Sequence, residues 1–258
     1  MPTMARSAVV QLRASSSVEG RYVAFNPWRE YCAQFSALVD GASRAREDAI
    51  NAHKPKGRNA SHRGYYVGAS IMAYGMAADG GRPIITDSAI NVKTREDADG
   101  ICAERVLTDR VKKMSRSIGI ALETVGLVVI GEPQPDQATG FRSETLWMCS
   151  ERCWQRIVIP KRIPGDALIA TVRPDKHKTQ VQTASELDEF YGALIAGERH
   201  REPITFDHDS DSRLAIVEEF NRLVPQELDP FADEASRRLC VESARIAIQG
   251  GYGRLHAA

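Results

Sequence analysis

Two short runs restrict this chain more than any other stretch: Ile101-Cys102-Ala103-Glu104-Arg105 and Cys149-Ser150-Glu151-Arg152-Cys153. Together they offer three thiols and one well-placed carboxylate. Zinc takes thiolate ligands, and a catalytic zinc site keeps one position open for water or substrate. Lewis-acid help brings the pKa of that water toward neutrality. A glutamate two residues after a ligand can reach the water without joining the metal, and there it shuttles protons. Cysteine is also a common buried hydrophobe, so a lone Cys-x-x-x-Cys pair does not by itself specify a metal. Cys149 and Cys153 are four residues apart, a spacing that puts both on one side of a helix. If Cys149 opens that helix, the helix dipole favours its thiolate.

The cysteine count bears on the same question. Five cysteines in 258 residues, with no signal-peptide pattern, favour a reducing, cytoplasmic setting and metal ligation over disulfides. Cys32 and Cys240 then read as packed thiols. Residues 1–20 lack the apolar run and cleavage site of a signal peptide, although their serine-rich, acid-poor character leaves an organelle transit peptide as the alternative. No apolar run approaches the length of a membrane span. Lys plus Arg equal Asp plus Glu at 34 each, so the total charge gives no argument for a nucleic-acid surface.

The periodicity predicts an α/β chain. Residues 1–27 read as an N-terminal extension with a short strand at Val9–Leu12. Trp28, Tyr31, Cys32, Phe35, Leu38, Val39 and Ala42 recur at helical spacing and predict a long helix over 28–52. The basic loop of residues 53–63 is a solvated connection or a cationic rim. Residues 64–74 and 83–92 predict a hairpin about Asp79-Gly80-Gly81. Val106, Leu107, Val111 and Met114 give residues 101–115 an apolar stripe. Cys102 and Glu104 therefore fall at a helix N-terminus, which tolerates negative charge. Val125–Ile130 predicts a buried strand, with further strands at 167–172 and 179–183. A capped helix starts near Ser185. Residues 197–258 read as a helical C-terminal extension with helices over 213–223 and 231–249. The acidic run Phe206–Asp211 reads as a solvated turn.

The chain resembles the cytidine deaminases, in the branch with three cysteine ligands. Gly100-Ile101-Cys102-Ala103-Glu104-Arg105 looks like the first zinc motif of that family. Tyr65-Tyr66-Val67-Gly68-Ala69 resembles the aromatic-x-Val-Gly-Ala of its first strand, and Asn91-Val92 the Asn-Val-Glu that ends its second. Cys153-Trp154-Gln155 stands where the family reads Cys-Arg-Gln. The likeness spans residues 35–195. Two departures stand in the second motif: Met148 replaces a proline before Cys149, and three residues instead of two separate the last cysteines.

The resemblance implies a three-layer α/β/α fold with a mixed five-stranded sheet over 28–196. It implies Zn²⁺ on Cys102, Cys149 and Cys153, with Glu104 as the proton carrier. Tyr65, Asn91, Lys93 and Ala103 fall on the substrate side. Arg105 stands where the family's arginine hydrogen-bonds the ligand thiolates. Three thiolates on Zn²⁺ leave a formal charge of minus one, so a nearby positive charge restores the metal's acidifying power. The reaction implied is hydrolytic deamination of a cytosine-type nucleoside, without an organic cofactor. A homotetramer is the implied assembly, with a dimer as second choice. Asn91-Val92-Lys93 departs from Asn-Val-Glu. Lysine cannot accept a hydrogen bond, so the expected substrate is a derivative rather than plain cytidine. Two alternatives remain: a deaminase of bases within nucleic acid, and a zinc-stabilised protein that has lost catalysis.

Overall fold

The computed structural model describes residues 9–13, 16–18, 21–52, 66–91, 101–131, 162–174, 178–197, 205–207 and 213–253. The chain opens with strands β1 (Val9–Arg13), β2 (Ser16–Val18) and β3 (Arg21–Val23), then helix α1 (Pro27–Ala52). Strands β4 (Gly68–Gly75) and β5 (Arg82–Ile90) form the expected hairpin. Helix α2 (Ala103–Ile118) leads into β6 (Leu122–Ile130). After β7 (Leu168–Val172) and β8 (Lys178–Thr183) comes α3 (Ala184–Ile195). The short strand β9 (Thr205–Asp207) precedes α4 (Arg213–Leu223) and α5 (Glu234–Gly253).

The architecture is α/β, a mixed sheet with helices on both faces. Its order is β1-β5-β4-β6-β7-β8-β9. The five central strands are those expected, and β1 and β9 widen the sheet at its two edges. Among the described residues, only β6 and β7 pair in parallel. Such a pair needs a crossover, and the chain between them, residues 131–167, carries the second cysteine run. Phe206 belongs to the edge strand β9 and pairs in register with Thr179, where the sequence reads as the start of a turn.

Alternation along the strands sorts the core into two layers. Met72, Tyr74, Val128, Ile130, Leu168 and Ala170 face α1, α4 and α5. Ala69, Ile71, Ala73, Leu127, Val129 and Ile169 face α2 and α3. The C-terminal helices thus share one apolar cluster with α1. Arg237 of α5 also bonds Glu123 and Asp166 at the starts of β6 and β7, and its guanidinium lies 5.1 Å from the centre of the Trp28 ring.

Two glycines permit the close packing of α1. A Cβ on Gly68 would lie 2.0 Å from the Ala42 carbonyl oxygen, so helix and strand touch backbone to backbone. A Cβ on Gly126 would lie 2.5 Å from Tyr31 Cζ; instead the tyrosine ring lies over the bare strand, and its hydroxyl donates to the Leu127 carbonyl at 3.3 Å. The β4–β6 register slips between Met72 and Ala73, which leaves Val125 as the bulged residue. α3 begins with a capping box: Thr183 Oγ1 accepts the Glu186 N–H at 3.1 Å, and Glu186 Oε2 accepts the Thr183 N–H at 2.8 Å. The cap is Thr183, ahead of the start read at Ser185.

Candidate functional site

The carboxyl ends of β5, β6 and β7 lie together, because Gly68 pairs with both Ile90 and Ile130, and Ile130 with Val172. Crevices outside the carboxyl ends of strands are where open α/β sheets bind ligands. The N-terminus of α2 sits at this end, since Cys102 and Ala103 share a cluster with Val67, Ala69 and Ala89. The chain also leaves β6 here toward the second cysteine run.

Asn91 finishes the hairpin. Its N–H donates to the Val67 carbonyl at 3.1 Å, and its side-chain Oδ1 accepts the Val67 N–H at 3.0 Å. A side chain thus replaces the strand ladder at this point. That explains why β5 stops at Ile90 and β4 starts at Gly68, two residues earlier and four residues later than the sequence pattern indicates.

Cys102 is the N-cap of α2, with extended backbone at φ −65° and ψ 151° and no side-chain cap bond. Its carbonyl accepts the Val106 N–H at 3.1 Å, which starts the helix. Ala103 and Glu104 follow, both fully buried. Neither carboxylate oxygen of Glu104 has a hydrogen-bond partner among the described residues. Burial pushes the Glu104 carboxyl up to about 7 from an ordinary 4.5, and the nearby N–H of its own backbone offsets part of this. A carboxylate buried without partners is costly, and such groups cluster where chemistry is done.

The sulfur of Cys102 is in a disulfide, whose partner is outside the described residues. Cys32 and Cys240 are free and buried. The sequence reads Cys102 as a metal ligand in preference to a disulfide; the structure gives the oxidised form, in which this sulfur cannot ligate. Reduced, Cys102 would offer a thiolate, a ligand that zinc takes. With Glu104 unpartnered beside it, the chemistry of this helix start fits a cation with an open position. Tyr65, Lys93, Cys149 and Cys153, and the basic loop of residues 53–63, lie outside the described residues.

The surroundings of α2 include groups that the sequence pattern did not single out. Arg105 Nε lies 3.8 Å from Asp109 Oδ2, and Asp109 Oδ1 accepts a 2.6 Å bond from Arg162. Farther along, Arg110 bonds the buried Asp87 of β5 at 3.2 Å and the Ser88 carbonyl at 3.3 Å. The Arg105–Asp109 spacing of four is a helical signal. No local pattern connects Asp109 with Arg162, 53 positions away. No protein-family model matches the chain, and no curated protein sequence matches it.

Proposed function

We propose that this chain is a zinc-dependent hydrolytic deaminase. Its substrate is the exocyclic amine of a cytosine-type nucleoside derivative rather than of plain cytidine. The observation that carries this reading is Glu104, a fully buried carboxylate with two unpartnered oxygens, two residues after a cysteine at a helix start. The likeness of Gly100–Arg105 and Tyr65–Ala69 to cytidine deaminase motifs supports the same reading.

Cys102, Cys149 and Cys153, reduced, would hold the metal. When bound, zinc supplies the Lewis acidity that makes water a nucleophile at neutral pH. Glu104 takes a proton from that water and delivers it to the ring nitrogen beside the amino-bearing carbon. It then carries a second proton to the departing amine, which leaves as ammonia; the ring carbon keeps the water's oxygen as a carbonyl. Burial suits this task, because no competing donor holds the Glu104 oxygens in place. Arg105, three residues after Cys102, supplies positive charge that offsets the thiolates. Asn91 is held by Val67, and by the resemblance it and Lys93 would fall on the sugar side. Two donors there favour a substrate that carries an acceptor or an anion. A reducing, cytoplasmic setting suits the thiolate form. Among the described residues, no helix is long and apolar enough to cross a membrane.

The test is an ammonia-release screen of the reduced, zinc-loaded protein over cytosine, adenine and guanine bases, nucleosides and nucleotides. Release from a cytosine derivative is the expected result. Silence across the whole panel would remove the enzyme reading in favour of a zinc-stabilised protein without catalysis.

A further inference from the structure

We propose that the outer face of α2 is a docking surface for the phosphate backbone of a nucleic acid. The inference goes beyond the deaminase reading and depends on no metal. Equal totals of 34 basic and 34 acidic residues say nothing about where the charges stand. α2 carries Arg105, Arg110, Lys112, Lys113 and Arg116 against Glu104 and Asp109, and Glu104 is buried. α3, which packs on the same face of the sheet, carries Glu186, Asp188 and Glu189 and no basic residue. Charge is therefore segregated within one layer of the molecule.

Arg105, Asp109, Lys112 and Arg116 follow one another at steps of four, three and four, and Lys113 is four on from Asp109, so all five share one side of the helix. The buried residues of α2 lie on the opposite side. Lys112, Lys113 and Arg116 are exposed and make no ion pair among the described residues. Asp109, the acid within the stripe, is shared between Arg105 and Arg162, so it leaves the charge of the other three uncancelled.

Folding does not explain this stripe. Like charges three and four residues apart on a helix repel, and Lys113 and Lys112 stand at those distances from Arg116. The helix dipole accounts for Arg116 in the last turn, but it fades before Lys112 and Lys113. A partner of opposite charge would relieve the repulsion, and its kind follows from what the stripe lacks. Protein interfaces are centred on aromatic and apolar side chains and are depleted in lysine. From Arg105 to Arg116 the exposed positions hold only Asp109, Lys112, Lys113 and Arg116. Two copies laid α2 against α2 would bring like charges together. Phosphate contacts, by contrast, need only cations along a line, and at the helical rise this line is about 17 Å long. It begins within one turn of Cys102, where the carboxyl ends of β5, β6 and β7 gather, so a strand bound along it passes the candidate crevice.

The experiment uses the full chain without added metal and a labelled oligonucleotide of mixed sequence, single-stranded and as a duplex, in fluorescence anisotropy over a range of salt concentrations. The wild type should bind at low salt and lose affinity steeply as salt rises. Lys112→Gln/Lys113→Gln/Arg116→Gln should bind about tenfold or more weakly, and the slope of log Kd against log salt should fall by about 2 to 3, the share of three phosphate contacts. Its Tm should match wild type, as expected for exposed positions. Lys112→Arg/Lys113→Arg/Arg116→Lys, which keeps the charge, should bind as wild type does. So should Arg44→Ala/Arg238→Ala, which removes exposed cations from α1 and α5. A wild type that binds neither form at low salt would overturn the inference, as would a triple glutamine variant with unchanged affinity and slope. An equal loss in Arg44→Ala/Arg238→Ala would also overturn it, since that marks diffuse charge. If the triple glutamine variant binds as wild type but changes the particle mass in light scattering, the stripe instead meets an acidic face of a second copy. Neither zinc nor turnover enters these measurements, so their failure leaves the deaminase reading standing, and silence in the ammonia screen leaves this one standing.

Discussion

Gly68→Ala is the sharpest probe of how α1 is seated on the sheet. The added Cβ would lie 2.0 Å from the Ala42 carbonyl oxygen, 2.9 Å from the Arg46 nitrogen and 3.0 Å from the Ala42 carbonyl carbon. Ordinary contact begins at 3.4 Å, so the worst of these is short by about 1.4 Å. All three are peptide backbone atoms within a 26-residue helix. They cannot turn aside as a flexible side chain would. Either the helix lifts from β4 or the strand bends, and Phe35, Leu38 and Val39 lose contact with the core. Overpacking of this kind costs about 1–3 kcal/mol, and a backbone clash belongs at the upper end. For a chain of this length, about 3 kcal/mol is a fall in Tm on the order of 6–12 °C. The assay is thermal unfolding followed by circular dichroism, with Gly192→Ala as control. Gly192 lies in α3, and nothing approaches the position of its missing Cβ within 4 Å. That variant should match wild type or gain about 0.5–1 kcal/mol from helix propensity. A Gly68→Ala protein as stable as wild type would show that α1 does not lie this close to β4.

Three further outcomes are expected. Arg237→Met keeps the side chain's packing but removes its bonds to Glu123 and Asp166 and its contact with Trp28. With all three charged groups near one-third exposed, it should cost on the order of 1–2 kcal/mol by chemical denaturation. A loss of less than a few tenths would mean that the C-terminal helices are held by apolar packing alone. Analogues with a phosphate or carboxylate near the sugar should be better substrates than cytidine, and Lys93→Glu should shift preference toward cytidine; a wild type that prefers cytidine, with no gain in Lys93→Glu, would refute the charge-swap argument. Light scattering at micromolar concentration should give a homotetramer, or failing that a dimer, and a monomer would contradict that expectation.

Local chemistry made most elements legible. The Trp28–Ala42 spacing indicated α1 within one residue of its start, and the β-branched run at Val125–Ile130 indicated β6. The boundaries that shifted did so because a side chain intervened. Asn91 replaces the ladder at the end of the hairpin, and Thr183 caps α3 ahead of Ser185. The bulge at Val125 has no mark in composition, since it depends on the β4–β6 register. The partners of α4 and α5 were also hidden. An amphipathic face records that something covers it, and Ile216, Phe220 and Val241 do not record that the cover is α1. At the site, the Cys102–Arg105 motif was legible as chemistry. The orphaned state of the Glu104 oxygens and the bridge from Asp109 to Arg162 emerge only once the chain is folded.

The most direct test of the deaminase reading is Glu104→Gln, assayed for bound zinc, Tm and ammonia release on whichever cytosine derivative the wild type turns over. The amide keeps the shape of the carboxylate but cannot carry a proton. Loss of such a positioned acid/base typically costs 10²-fold or more in rate. The variant should hold about one zinc per reduced chain, as expected for a site of three protein ligands. It should melt no lower than wild type, because a buried charge without partners has been removed. Its ammonia release should fall at least 10²-fold. Near-normal turnover with zinc in place would contradict the assignment of Glu104 as the proton carrier.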